Sequence, residues 1–262
     1  MKFVSITFDD GRKDNYTTAF PIMRHYDLLG TVFVTTGFVD SSWTKDESWL
    51  SAGDALSVDE LRLLKQVGWE VGLHGDRHVT DIEDTKTSIK KLNSWLGVDF
   101  RYGFSMPNSN ADPEKIAEFE KECCQGGILS YIRRGRGRNT RSIPSKALFA
   151  LYSIFKLQWA YNRFNDPSIN ELITMDLKNI KSIVIRSNDN PEMIRRFIER
   201  IPDNTLVVFM LHSILKQGDI LYDADPWCWD SKKFEQFCYD LSVSVKKGKV
   251  TVLPLERVKK YD

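Results

Sequence analysis

Short apolar runs recur along the chain, each followed by a stretch with helical spacing. Phe3–Phe8 alternates apolar and small polar residues and stops at Asp9-Asp10-Gly11, which predicts a strand running into an acidic turn. Thr31–Thr36 is rich in β-branched residues and predicts a second strand, after a helical segment ending at Gly30. Ser57, with Glu60 three residues later, forms a capping box that opens the helix DELRLLKQV; Gly68 closes it, and Trp69–His74 predicts another strand. Asp112-Pro113 and Asn190-Pro191 each set a capping side chain before a first-turn proline. Leu206–Leu211 is almost continuously apolar, the pattern of a parallel strand buried on both faces, and Val250–Leu253 is the expected last strand. Strand–helix alternation over most of the chain predicts an α/β fold with parallel strands.

One stretch breaks this rhythm. Arg133, Arg134, Arg136, Arg138 and Arg141 are interleaved with glycines, and an aromatic-rich segment, Ile143–Phe164, follows them. The pattern predicts an insertion at about 130–165 between units of the fold. Leu148, Leu151, Tyr152, Phe155 and Trp159 recur at spacings of three and four, which makes one helical face apolar. Such a stripe is more often core than membrane anchor, yet a basic loop beside an aromatic helix also suits the headgroup layer of an anionic membrane. The arginines read either as a solvated loop or as a phosphate clamp for a phosphate-linked substrate (Arg133, Arg134, Arg136, Arg138), because guanidinium binds phosphate bidentately.

Composition narrows the class. At 262 residues the chain has the length of one large domain, and 42% hydrophobic with 12% aromatic residues excludes a disordered or fibrous chain. Lysine and arginine number 37 against 36 acidic residues, a net of +1, so a basic field for nucleic acid is absent. Four cysteines without a CxxC pair predict reduced thiols and no cysteine zinc site. With no apolar run of signal-peptide or membrane-spanning character, the expected location is cytoplasmic.

Three features carry chemistry, and each falls where a predicted strand ends: Asp9-Asp10, the pair His74 and His78 in His74-Gly75-Asp76-Arg77-His78, and His212 directly after LVVFML. Each alone has a plain reading. An acidic pair before glycine also serves as a polar turn, and in a chain with four histidines some pair falls four apart roughly once in twenty chains. Together they lie at C-terminal strand ends, the face where parallel α/β barrels build active sites. One carboxylate with two neutral imidazoles suits Zn²⁺ or another borderline divalent cation. The second aspartate can act as general base on an attacking water, and a separate histidine can protonate a leaving amine. That constellation describes hydrolysis of an amide or ester. His25 reads as an ordinary helix residue, and Asp76 reads equally as a carboxylate orienting a ligand histidine or as a surface turn.

The set TFDDG, HxxxH and a strand ending in LH resembles the polysaccharide deacetylases, the NodB-homology, family 4-like group of carbohydrate esterases. The resemblance runs from residue 3 to about residue 257 apart from the expected insertion, and implies a single domain over 1–262. It implies a distorted (β/α) barrel and removal of an N-acyl group, usually acetyl, from an amino sugar or glycan. It assigns Asp9 as catalytic base and His212 as catalytic acid, with Asp10, His74 and His78 as metal ligands. The family's third motif, with arginine two residues before proline and an aromatic residue after it, falls on Ser105-Met106-Pro107-Asn108. Ser105 stands in place of the arginine that orients the catalytic aspartate, and one of the arginines of the insertion could substitute. Pro107 and Asn108 are the expected oxyanion and substrate contacts, through a backbone N–H that survives the change of side chain. No stretch matches the family's tryptophan motif that supports the acid histidine. The alternatives are a deformylase or other small-amide hydrolase on the same fold, and a non-catalytic carbohydrate-binding relative.

Overall fold

The structure, a computed structural model, describes residues 1–43, 54–97, 101–108, 113–125, 127–135, 142–225 and 227–258. Among them nine strands form one sheet in the order β5-β4-β3-β2-β1-β8-β6, with β11 added beside β1 and β7 beside β8. The strands are β1 (Lys2–Phe8), β2 (Thr31–Val34), β3 (Glu70–Leu73), β4 (Gly103–Ser105), β5 (Tyr131–Arg133), β6 (Asn170–Glu171), β7 (Ile183–Val184), β8 (Thr205–Leu211) and β11 (Val250–Val252). All pairs in this sheet are parallel except β6 with β8. Two further short strands, β9 (Ser213–Leu215) and β10 (Cys228–Asp230), pair with each other.

The sheet curls into a distorted barrel. Its β5 edge meets the segment leading into β7: Arg134 N–H donates to Ile180 O at 2.8 Å, and Ile180 N–H to Ile132 O at 3.0 Å. Because side chains alternate across each strand, Phe3, Phe33, Leu206 and Val208 pack inside the barrel, and Val4, Val32, Val34, Val207 and Phe209 pack outward under the helices. Further along the inner face of β1, Phe3 gives way to Ser5 and Thr7 and then to Asp9. Along β1 the inner face thus changes from apolar to polar toward the mouth.

The sequence signals produce the expected helices. Ser57 caps α3 (Val58–Gln66) through a complete capping box with Glu60, and Asn190 caps α8 (Pro191–Arg200), accepting from Glu192 N–H at 2.9 Å. Met193, Ile194, Phe197 and Ile198 of α8 face the core. The remaining helices are α1 (Phe20–His25), α2 (Thr36–Val39), α4 (Ile82–Leu96), α5 (Pro113–Glu120), α6 (Ile143–Phe155), α7 (Gln158–Asn165) and α9 (Ser231–Lys246). The cap expected from Asp112 lies outside the described residues. His25 ends α1 and is exposed. Among the described cysteines Cys123, Cys228 and Cys238 are free and buried.

The segment expected as an insertion is built into the barrel. Its first residues form β5, and Tyr152, Ala160, Tyr161 and Phe164 of α6 and α7 are part of the main core, with Leu148 and Leu151 packed against it. Phe155 and Trp159, by contrast, are 65% and 57% exposed, so the apolar stripe is core only along part of its length. No helix among the described residues is long and apolar enough to cross a membrane.

Candidate active site

Parallel register brings the motif residues to one rim. Phe8 is level with Leu211, Val34 with Leu73, Leu73 with Phe104 and Ser105 with Arg133, so the residues that follow these strands emerge together. Backbone bonds continue each ladder past its end: Asp9 N–H donates to Leu211 O at 2.9 Å and His74 N–H to Val34 O at 2.9 Å. The chain then turns sharply. Asp10, His78 and Asn108 all have positive φ, 75°, 57° and 55°, a conformation that costs non-glycine residues energy and clusters at functional sites. Gly75, between His74 and Asp76, has φ +80°, and a Cβ there would sit 2.8 Å from Asp84 Oδ2.

Asp10, His74 and His78 converge, the set that the resemblance implied. One ligand-type atom from each lies within 4.8 Å of the others, and all three residues are buried. The Nε2 atoms of His74 and His78 stand 3.5 and 3.4 Å from Asp10 Oδ1. His74 Nδ1 lies 2.8 Å from the Ser105 carbonyl, which can only accept, so Nδ1 carries the proton and the Nε2 lone pair faces Asp10. Both Asp10 carboxylate oxygens are buried without a hydrogen-bond donor. A buried, unpartnered carboxylate beside imidazole lone pairs fits a divalent cation. Burial pushes the Asp10 carboxyl up, but the imidazoles of His74, His78 and His212 outweigh it and hold it well below the usual range. His74 responds in the opposite sense. Burial opposes its protonation, yet Asp9 and Asp10 raise its pKa above the ordinary histidine value.

Asp9 sits beside this group, also buried. Its carboxylate accepts from the Arg133 guanidinium at both oxygens and from Ser105 Oγ at 3.2 Å. Against the cost of burial, Arg133, then His74 and His212, keep its pKa below the usual value. The expectation that Arg133 faces a phosphate is therefore replaced. The side chain is 1% exposed and points inward to Asp9 and Ser105, because position 133 lies on the inner face of β5. Arg134 forms an ion pair with Glu120, and Arg136 and Arg138 lie outside the described residues. Pro107 is buried and Asn108 exposed just past β4, on the same rim.

His212 is held through its backbone and its ring face. Asn15 Nδ2 donates to His212 O at 2.7 Å, and Ile214 N–H donates to Asp14 Oδ1 at 2.8 Å. Asp225 accepts from Ser213 Oγ and from Trp227 N–H at 2.8 Å, with Arg12 Nη2 3.6 Å away. The Trp227 ring lies against the His212 ring, 5.3 Å between centroids at 32°. Burial lowers the His212 pKa despite the nearby Asp10 and Asp9. Sequence reading did not find Arg12, Asp14, Asn15, Asp225 or Trp227. Trp227 lies 15 residues after His212 in the chain and is brought back to it by the β9–β10 pairing. Asp76 accepts from Thr36 Oγ1 at 2.6 Å and pairs with Lys91 at 2.8 Å, and among the described residues it bonds no site histidine.

The fold has counterparts among known proteins. Residues 1–122 match the family model described as polysaccharide deacetylase. No curated protein sequence matches the chain. The polysaccharide deacetylase Bc1974 of Bacillus cereus superposes with a TM-score of 0.55 at 12% identity, covering 100% of this chain and 96% of its own. The Xyl-CE4 domain of a multidomain xylanase from the hindgut metagenome of Trinervitermes trinervoides gives 0.50 at 11% identity, over 98% and 89% of the two chains. The Bc1960 peptidoglycan N-acetylglucosamine deacetylase gives 0.50 at 10% identity, over 99% and 90%. The resemblance therefore holds: over residues 1–122, which include TFDDG and HxxxH, this chain matches the polysaccharide deacetylase pattern, on a barrel of the kind those deacetylases have.

Proposed function

We propose that this chain is a metal-dependent hydrolase that removes an N-acyl group, acetyl in the first instance, from an amino sugar or glycan. The observation that carries the reading is the buried Asp10–His74–His78 group beside Asp9 and within electrostatic reach of His212, at one barrel mouth. Asp10, His74 and His78 would hold a divalent cation, for which Zn²⁺ is the best match to the donor set. When bound, such a cation polarises an amide carbonyl and lowers the pKa of a water at the site toward about 7.

The chain's own residues supply the rest. Asp9, kept ionised by its surroundings, accepts a proton from the attacking water at a carboxylate oxygen. His212 delivers a proton to the leaving amine; Asn15 holds its backbone carbonyl and Trp227 lies against its ring. Pro107 and the Asn108 backbone N–H take the substrate contacts at the rim, where a backbone donor steadies negative charge on the carbonyl oxygen. The match of residues 1–122 to the deacetylase family supports this chemistry.

Two measurements test the reading. Elemental mass spectrometry should find close to one divalent ion per wild-type chain and a loss of it in His78→Ala. Metal-loaded wild type should release acetate from acetylated chitooligosaccharides, and His212→Gln should keep the metal while turnover falls by about 10² or more. A protein that takes up no metal after dialysis against zinc would refute the mechanism.

A further inference from the structure

Arg133 is a fully buried charge at the barrel mouth, and its two terminal guanidinium nitrogens, Nη1 and Nη2, face side chains of the barrel interior. It donates to both Asp9 oxygens, to Ser105 Oγ, to Ser182 Oγ at 3.3 Å and to Met210 Sδ, and its Cζ lies 5.3 Å from the centroid of the Phe33 ring. Ser105 and Arg133 are register partners on β4 and β5, and both side chains reach the same carboxylate. With Nη1 held by Ser182 and Met210, the planar guanidinium presents Nη2 to both Asp9 oxygens in a fixed direction and so fixes the carboxylate, whereas a hydroxyl alone leaves that carboxylate free to rotate.

We infer that Arg133 is the positioning residue for Asp9: the cation that aims this carboxylate comes from β5, one strand away from the position held by Ser105. The inference rests on the proposed reading of Asp9 as proton acceptor. It also makes a geometric claim of its own: because the two positions are level and point to the same group, the arginine can be moved back across the ladder.

The test compares wild type, Arg133→Ser, the swap Ser105→Arg with Arg133→Ser, and Arg133→Lys. The readouts are bound zinc, thermal midpoint, and kcat and KM separately on acetylated chitooligosaccharides. Arg133→Ser should keep its zinc and hold KM within about threefold, while kcat falls about 10²-fold, the scale of misplacing a reacting group by about 1 Å. The swap should recover at least about tenfold of that kcat, which repair of a merely structural ion pair would not require. Arg133→Lys, which keeps the charge but loses Nη1 and its contacts to Ser182 and Met210, should lose kcat at least about tenfold; it carries the same test if Arg133→Ser does not fold. Wild-type kcat in Arg133→Ser or in Arg133→Lys would overturn the inference, as would a swap that regains the thermal midpoint and zinc but no kcat.

A wild type that hydrolyses no acetylated glycan would sink the functional reading instead. The positioning claim is then decided by a double-mutant cycle of Arg133→Ser with Asp9→Asn, read as unfolding midpoints. Coupling that reappears when the arginine is moved to position 105 supports it, and absence of coupling overturns it.

Discussion

Replacing Glu70 by glutamine should remove a pH dependence of stability that originates at the closed floor of the barrel. Glu70 begins β3, fully buried, and its carboxylate accepts from Tyr131 Oη, from Thr31 Oγ1 at 2.8 Å and from Glu256 N–H at 2.8 Å. Burial outweighs these donors and pushes its pKa from 4.5 up to about 7. At about 1.4 kcal/mol per pH unit, that rise corresponds to about 3 kcal/mol of folding free energy. Since the folded state raises the pKa, the fold favours the protonated acid. Its stabilisation is complete below pH 4.5 and is lost as pH rises to about 7. Chemical denaturation of wild type and Glu70→Gln at steps from pH 4.5 to 8 measures it. The informative quantity is the difference between the two curves, in which every group other than position 70 cancels. That difference should shift in favour of the variant by about 3 kcal/mol across the range. Curves that stay parallel within about 1 kcal/mol would refute the argument. Turnover should be unchanged, because Glu70 lies four residues below His74, about 13 Å along the strand.

Two further changes probe the rim. Gly75→Ala should destabilise the fold by about 1–3 kcal/mol, from positive φ and from a Cβ 2.8 Å from Asp84 Oδ2, and should weaken zinc binding because the turn sets the spacing of His74 and His78; calorimetry and zinc titration read the two effects. Asp225→Ala removes the acceptor shared by Ser213 Oγ and Trp227 N–H, which should cost about 1–3 kcal/mol and lower kcat while zinc content stays at one per chain.

What the sequence determined by itself is local. Strand alternation at Phe3–Phe8, the apolar run at Leu206–Leu211 and the caps at Ser57 and Asn190 depend on neighbours a few residues away, and so the elements and the strand-end positions of Asp9, His74 and His212 were legible. The acid pair Asp9-Asp10 could be grouped with His74 and His78 because the two histidines stand four apart and the barrel rule puts strand ends on one face; the resemblance, not the spacing, singled out Asp10. The tertiary structure decided everything that depends on strand register. Arg133 reads in the sequence as one arginine in a basic loop. It meets Asp9, 124 residues away, only because β5 pairs with β4 so that position 133 is level with Ser105 and faces the barrel interior. Trp227 reaches His212 through the pairing of β10 with β9, and Glu70 is sealed at the floor by Tyr131 and the backbone of Glu256. Side-chain periodicity specifies which face of a strand is buried; which strand lies beside it, and at what height, is settled by packing the whole barrel, and that settled which cation meets which carboxylate.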